Sequence, residues 1–444
     1  MISADRTSTP TEHTSFPIHD ARGGETGAVP DPERLANRIA RFAAMTSTSD
    51  GVTRPGYTAL ERDAHTVFAD ELRALDLRVW TDPAGNTIAE APGSGPGIGT
   101  GSHLDSVPNG GRFDGIAGVV AAMEAARLLV EHQIEHVAPF RFVAFACEEG
   151  ARFGQACIGS RFAGGLMDEW RLASLADRTG VRLVDAMQQL EFDASKAASR
   201  PWDRNDWGAF IELHVEQGGV LEEAGIGIGI VDLISGSSRL RFELTGIASH
   251  TGATPMKKRH DALAAAAELV LIAEEIALDS RHRGTRTTVG TLEVSPGSIT
   301  TIPGRVSLSL DVRDVDSDRQ RDTAMEIVRR TVAACQHRGV EVEVSLIGDT
   351  SPVVLPIWLR DVVAQACRNS GFGYRVMTSG ASHDAQNINH ITPTAMVFVP
   401  SRNGLSHVPE EWTSSHELAQ GTAVLLSAML HADAELQRVN GTAA

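Results

Sequence analysis

Residues 98–118 read Ile98-Gly-Thr-Gly-Ser-His103-Leu-Asp105-Ser-Val-Pro-Asn-Gly-Gly-Arg-Phe-Asp114-Gly-Ile-Ala-Gly118. A short apolar run ends in a His-x-Asp triplet, a glycine-rich loop follows, and Asp114 stands where the helix-forming run 116–130 begins. Three metal-binding groups thus meet at a strand-to-helix crossover, where α/β folds put chemistry. Imidazole and carboxylate suit zinc and its neighbours in the transition series. In His103-x-Asp105 the carboxylate can accept the other ring N–H and so fix the tautomer. His-x-Asp in a glycine-rich loop also occurs without a metal, so the rest of the chain has to decide.

Working outward, residues 31–45 and 58–75 have helical spacing, and 77–81 and 87–90 form a hairpin about Asp82-Pro-Ala-Gly85-Asn86. Downstream, 140–146 is a continuous apolar run, as expected in a sheet covered on both faces, and it ends in Cys147-Glu148-Glu149-Gly150. Two acids at a strand's end are either a solvated turn or part of a site. Residues 155–207 read as mostly helical, with Trp170, Trp202 and Trp207 as packing or loop anchors. The strand 209–215 follows, and period-2 alternation sends Glu212, His214 and Glu216 to one face.

After Ser235 the pattern changes to strand 239–246, helix 261–277, strands 286–294 and 305–312, helix 318–337 and strand 340–347, the βαββαβ order of a ferredoxin-like unit. The chain then returns with helix 357–370, the loop Ser379-Gly380-Ala-Ser-His383-Asp384, strand 393–399, a segment carrying His407, and a closing helix 416–437. The expected fold is α/β. A catalytic metal-binding domain, residues 31–234 and 352–444, has a central mixed sheet flanked by helices, and a ferredoxin-like lid or dimerisation domain, residues 235–351, is inserted into it. Residues 1–30, rich in acids, prolines and glycines, are expected to form a disordered leader.

At 444 residues, with 42% hydrophobic and 22% charged residues, the composition is that of an ordinary globular protein with room for two domains. The net charge of −17 and the brevity of the basic runs, 257–260 and 281–286, argue against nucleic acid as a partner. Four cysteines, Cys147, Cys157, Cys335 and Cys367, without a CxxC pair indicate free thiols in a reducing compartment. With no signal peptide and no apolar run of about 18 residues, the expectation is a cytoplasmic protein with no membrane partner.

His103, Asp114, Glu149, His214 and His407 all fall at strand ends or adjoining loops of one domain, and one shared carboxylate would let them hold two metals. Glu148 adjoins a ligand yet cannot easily share its direction, which makes it the candidate proton shuttle. His65, His136, His260 and His282 belong to no motif and read as surface residues.

The motifs Gly101-Ser-His103-Leu-Asp105, Gly110-Gly-Arg-Phe-Asp114-Gly115, Glu148-Glu149-Gly-Ala-Arg152-Phe153, Glu212-Leu-His214-Val-Glu-Gln217-Gly218, His250-Thr-Gly252-Ala-Thr-Pro255 and Ser406-His407-x-Pro-Glu, in that order, resemble the hydantoinase/carbamoylase branch of the M20 metallopeptidase family. That branch includes N-carbamoyl-L-amino-acid hydrolases, β-ureidopropionases and allantoate amidohydrolases, and the likeness runs from about residue 34 to 432. It implies two divalent ions per subunit, zinc, manganese, cobalt or nickel. His103, Asp114 and His214 would hold one, Asp114 would bridge, and Glu149 and His407 would complete the second. It makes Glu148 the base and Asp105 the partner of His103. It also implies a homodimer paired through the lid, with His250 reaching the other subunit's site to stabilise the oxyanion. Arg313 would grip a substrate carboxylate, and Gln217, Gly380 and His383 would line the pocket.

The sequence departs from the family pattern on the substrate side. Thr300 replaces an Asn before Thr-Ile-Pro-Gly, Ser237 replaces a Gln after Gly236, and His250-Thr-Gly replaces His-Ala-Gly. The expected activity is hydrolysis of a linear amide or ureido C–N bond in a small carboxylate-bearing substrate, foremost an N-carbamoyl-L-amino acid. The alternatives are allantoate, ureidoglycolate or another N-acyl amino acid and, in a different class, a metal-binding scaffold without catalysis.

Overall fold

A computed structural model describes residues 15–442 and divides into two compact units. One contains the chain up to Asp232, Leu355–Ser379 and the segment from His383 onward; the other contains Leu233–Val354 and Gly380–Ser382.

In the first unit four parallel strands lie in the spatial order Phe140–Phe145, Gly97–His103, Trp207–Val215, Thr394–Val399. Antiparallel strands extend the sheet, Thr87–Ala91 and then Arg78–Thr81 at one side and Ile228–Ile234 at the other, so it is mixed. The parallel strands read as unbroken apolar runs because both faces are covered: Ile98, Phe142, Ile211 and Val397 are all 0% exposed. The helix Ile116–Glu131 is buried at every position from Ile116 to Ala126. Its small residues permit that closeness; a Cβ on Gly118 would stand 2.2 Å from the Leu213 carbonyl oxygen.

From Gly97–His103 the chain goes to a neighbour on one side, Phe140–Phe145, and then crosses to the other, Trp207–Val215. Such a reversal opens a crevice at the carboxyl ends of the strands. Into it the four parallel strands deliver His103, Glu148 with Glu149, His214, and the loop holding His407.

The second unit is a four-stranded antiparallel sheet, ordered Glu341–Thr350, Gly236–Thr245, Arg305–Asp314, Arg286–Ser295, with helices Ala262–Leu278 and Ser317–Arg338. Along Arg305–Asp314, Val306, Leu308, Leu310 and Val312 are buried with Leu269 and Ile327 of the helices, whereas Ser307, Ser309, Asp311 and Arg313 occupy the other face.

Several expectations are corrected. Residues 15–30 are not a disordered leader: Phe16, Ile18 and Ala28 join the main core, and Ile18 and Ala28 are linked by a backbone hydrogen bond of 3.0 Å. The glycines there serve a turn, in which Asp20 accepts the N–H groups of Arg22 and Gly24. Residues 1–14 of the expected leader lie outside the described residues. His65 and His282 are buried, not surface residues, each with Nδ1 bonded to a threonine hydroxyl, Thr87 (2.9 Å) and Thr323 (2.7 Å). The strands Ile228–Ile234 and Tyr374–Ser379, unassigned from sequence, pair with each other. The four cysteines are buried and free, and among the described residues no helix is long and apolar enough to cross a membrane.

Candidate metal centre

Asp114 is the hub of the first unit's crevice. Its Oδ1 lies 3.2 Å from His214 Nε2 and 3.6 Å from His103 Nε2, while its Oδ2 lies 2.9 Å from His407 Nε2. His407 Nε2 is in turn 3.6 Å from Glu149 Oε1. Among the described residues two of the groups with metal-binding geometry, His103–Asp114–His214 and Asp114–Glu149–His407, share Asp114.

The histidines are set for a cation. His103 Nδ1 lies 3.1 Å from the Asp105 carbonyl oxygen and His214 Nδ1 lies 2.9 Å from that of Val215. In the neutral ring the nitrogen facing a carbonyl carries the proton, so the form that binds a metal presents its Nε2 lone pair towards Asp114. The Gly115 N–H, pointing at His214 Nε2 from 3.2 Å, agrees with this. Lone pairs facing a carboxylate need a cation between them. Glu149 Oε1 is also buried without a hydrogen-bond donor. A divalent ion satisfies all of these groups, and the residues present fit one at each group.

The charges of the side chains show the same demand. Burial, and then the Asp114 charge, push Glu149 up to about 8. Burial opposes a charge on His407, but Glu149 and Asp114 outweigh it and raise that histidine to about 10. Burial likewise opposes ionisation of Asp114, yet His103, His214 and His407 hold it well below the usual carboxylate range.

Glu148 belongs to neither group. Its Oε2 is 3.9 Å from His103 Nε2 and its Oε1 accepts the Cys157 thiol at 2.8 Å. Asp105 is placed differently from the expectation that it holds the His103 ring through its carboxylate. The ring meets its main-chain carbonyl, with the carboxylate farther away at 3.5 Å, and that carboxylate accepts the N–H groups of Glu148 (2.8 Å) and Glu149 (3.0 Å). Asp105 thus fixes the turn from which both glutamates project.

Other supports come from Glu61 and Glu411, which no motif singled out, and from Gly115 beside Asp114. Glu61 accepts the Cys147 N–H at 2.7 Å, where the backbone turns left-handed with φ 53°. Glu411 accepts the N–H groups of Phe113 (2.8 Å) and Asp114 (3.0 Å). Gly115, at φ 68°, must be glycine, since a Cβ would lie 2.5 Å from the His103 ring. Apart from the acid pair Glu410-Glu411 beside His407, the sequence carries no local signal for the two glutamates.

The substrate-side residues divide between the units. Gln217 donates to Asp114 Oδ2 at 2.9 Å, and His383 is buried with its ring centre 4.6 Å from that of His214 and its Nε2 on the Ser379 hydroxyl. His383 also forms a metal-like group with Glu212 and His214, but Glu212 is already occupied by the Ser102 hydroxyl and the Ala385 N–H. Glu216 caps the turn at Val220 and Leu221 instead of joining the site. In the second unit, Ser237 lies directly across from Arg313, whose Nη1 donates to the Gly380 carbonyl at 3.1 Å. Thr301 pairs with His250, next to Thr300, whose carbonyl accepts the Thr251 N–H. His250 is exposed and its Nδ1 accepts from Gly252 (3.0 Å) and Ala253 (3.1 Å), so the neutral ring carries its proton on Nε2 as a donor.

Residues 99–431 match the family model described as Peptidase family M20/M25/M40, whose members are generally metal-dependent. The chain is 38% identical over 400 residues to the N-carbamoyl-L-amino-acid amidohydrolase of Paenarthrobacter aurescens, covering 89% of this chain and 97% of that protein. It is 35% identical over 392 residues to the allantoate amidohydrolase of Bacillus subtilis, covering 87% and 93%. The crystal structure of AtUAH in complex with glyoxylate superposes with a TM-score of 0.88 at 31% identity, covering 92% of this chain and 99% of that one. The chain belongs to peptidase family M20/M25/M40, in its carbamoylase and allantoate amidohydrolase branch, and is an amidohydrolase acting on C–N bonds of linear amides.

Proposed function

We propose that the substrate is an N-carbamoyl-L-amino acid and that hydrolysis takes place at a binuclear centre. The observation that carries this reading is the sharing of Asp114 between two ligand groups, with Glu148 beside them and in neither. His103 and His214 with Asp114 would hold one ion, and Glu149 and His407 with the same carboxylate would hold the other. A bound pair of divalent ions supplies polarisation of a carbonyl and a lowered pKa for water.

The chain's own residues do the rest. Asp105 orients Glu148, which takes a proton from the attacking water and returns it to the leaving nitrogen, giving the free amino acid, CO₂ and ammonia. Gln217 steadies Asp114. We further propose that residues 235–351 form a ferredoxin-like lid that pairs two copies in a homodimer. His250 Nε2–H would then stabilise the oxyanion of the other copy's site, and Arg313 would hold the substrate carboxylate bidentately. Thr300 and Ser237 keep allantoate, ureidoglycolate and other N-acyl amino acids as the second reading, because both departures fall among the substrate-side residues.

The test is kcat/KM of metal-replete enzyme across N-carbamoyl-L-amino acids, ureides and N-acyl amino acids, with Glu148→Gln alongside. Carbamoyl substrates should lead, and the variant should retain metal while losing roughly 10²–10⁴ in turnover. Near-normal turnover in the variant would end the role given to Glu148. A lead for ureides or N-acyl compounds would replace the substrate.

A further inference from the structure

Across the open face of the second unit's sheet, directly opposed residues form the row Thr350, Ser237, Arg313, Arg286. Opposed residues on antiparallel strands share a face, so two guanidinium groups stand side by side, an arrangement that by itself is destabilising. Arg313 is engaged: its Nε donates to Asp311 Oδ2 at 2.9 Å and its Nη1 to the Gly380 carbonyl at 3.1 Å. Arg286 also reaches Gly380, since a Cβ there would lie 3.4 Å from its Nη1. Asp311 is the one carboxylate paired with either arginine among the described residues, and it also faces Arg239 Nε at 3.9 Å. Arg286 forms no ion pair among those residues and is exposed. Two arginines thus face Asp311, and Arg286, which pairs with no carboxylate among the described residues, stands opposite the residue assigned to the substrate.

We propose that Arg286 is a second anion-binding arginine beside Arg313, so that the enzyme takes substrates with two acidic groups, the N-carbamoyl or N-acyl derivatives of acidic amino acids. This rests on the reading of Arg313 as the substrate's carboxylate partner. One carboxylate fills one guanidinium fork. The opposed Cα atoms are about 4.5–5.5 Å apart, a separation that the two carboxylates of a four- or five-carbon diacid can span. Ser237 on the other side of Arg313, shorter than the Gln of the family pattern, leaves room for the second group and offers it a hydroxyl.

The experiment measures glutarate and butyrate binding to the metal-loaded enzyme by calorimetry, in wild type, Arg286→Leu, Arg286→Lys and Arg313→Leu. Glutarate should bind at least about tenfold tighter than butyrate in wild type, as a charge-assisted hydrogen bond allows. Arg286→Leu should bring the ratio close to one, and Arg286→Lys, which keeps a charge without the fork, should fall between. Arg313→Leu should weaken both ligands. A wild-type ratio near one, or a ratio that survives Arg286→Leu, overturns the inference while leaving Arg313 in place. If Arg313→Leu changes neither ligand, the reading of Arg313 fails and the inference falls with it. The ratio of kcat/KM between N-carbamoyl-L-glutamate and N-carbamoyl-L-norvaline should follow the binding ratio through the same variants.

Discussion

Loading the metal-free protein with zinc or manganese at pH 7 should release protons, because the groups that would hold the ions are protonated without them. Glu149, at about 8, is then about nine-tenths protonated, and His407, at about 10, almost completely so. Carboxylate and neutral imidazole are the forms that bind metal, so these two residues alone release about two protons. His103 and His214 are also raised, since Asp105 and Asp114 for the first and Asp114 for the second outweigh the opposing effect of burial; they extend the upper bound to about four. Calorimetric titration of metal in buffers of different ionisation enthalpy gives the number directly. Apparent affinity should rise about a hundredfold per pH unit between pH 6 and 7 if two protons leave. Release of fewer than about one proton, or an affinity flat from pH 6 to 8, would refute the reasoning. The same shifts carry a sign for stability. Both residues titrate higher in the fold than their ordinary 4.5 and 6.5, so each contributes stability that is fully present below those values and lost as pH rises through about 8 and about 10. The melting temperature of the metal-free protein should therefore fall as pH climbs from about 5 to 10, and bound metal should suppress that fall.

Asp105→Asn replaces one acceptor with an NH₂ group facing a backbone N–H, at a cost of about 1–3 kcal/mol. It should lower metal affinity by roughly 10–100-fold through the displaced Glu149, and unchanged metal titrations and melting would deny Asp105 its role. Mixing inactive His250→Ala with inactive Glu148→Gln under subunit exchange should restore up to about one quarter of activity. Proven exchange without rescue would place the whole site in one chain.

The residues of the two candidate metal groups are legible in the sequence because each sits in a short motif at or after the carboxyl end of a parallel strand, where the strand pattern and the chemistry coincide. Their supports are not. Asp105 looks local to His103, yet its carboxylate serves a backbone turn more than forty residues away, and Glu61 and Glu411 reach that turn and Asp114 from opposite ends of the chain. Such long-range pairings leave no spacing to read. The burial of His65 and His282 leaves no local signal for the same reason, since the threonine that bonds each Nδ1 belongs to another element. The segment 15–30 is ambiguous in sequence because acids, glycines and prolines serve tight turns as well as disorder, and its few apolar residues make the difference.

The most direct test of the binuclear centre is elemental analysis of the purified chain after metal saturation and removal of excess. The account predicts about two divalent ions per chain, falling to about one in His407→Ala. A ratio of one or less in the wild type would contradict it.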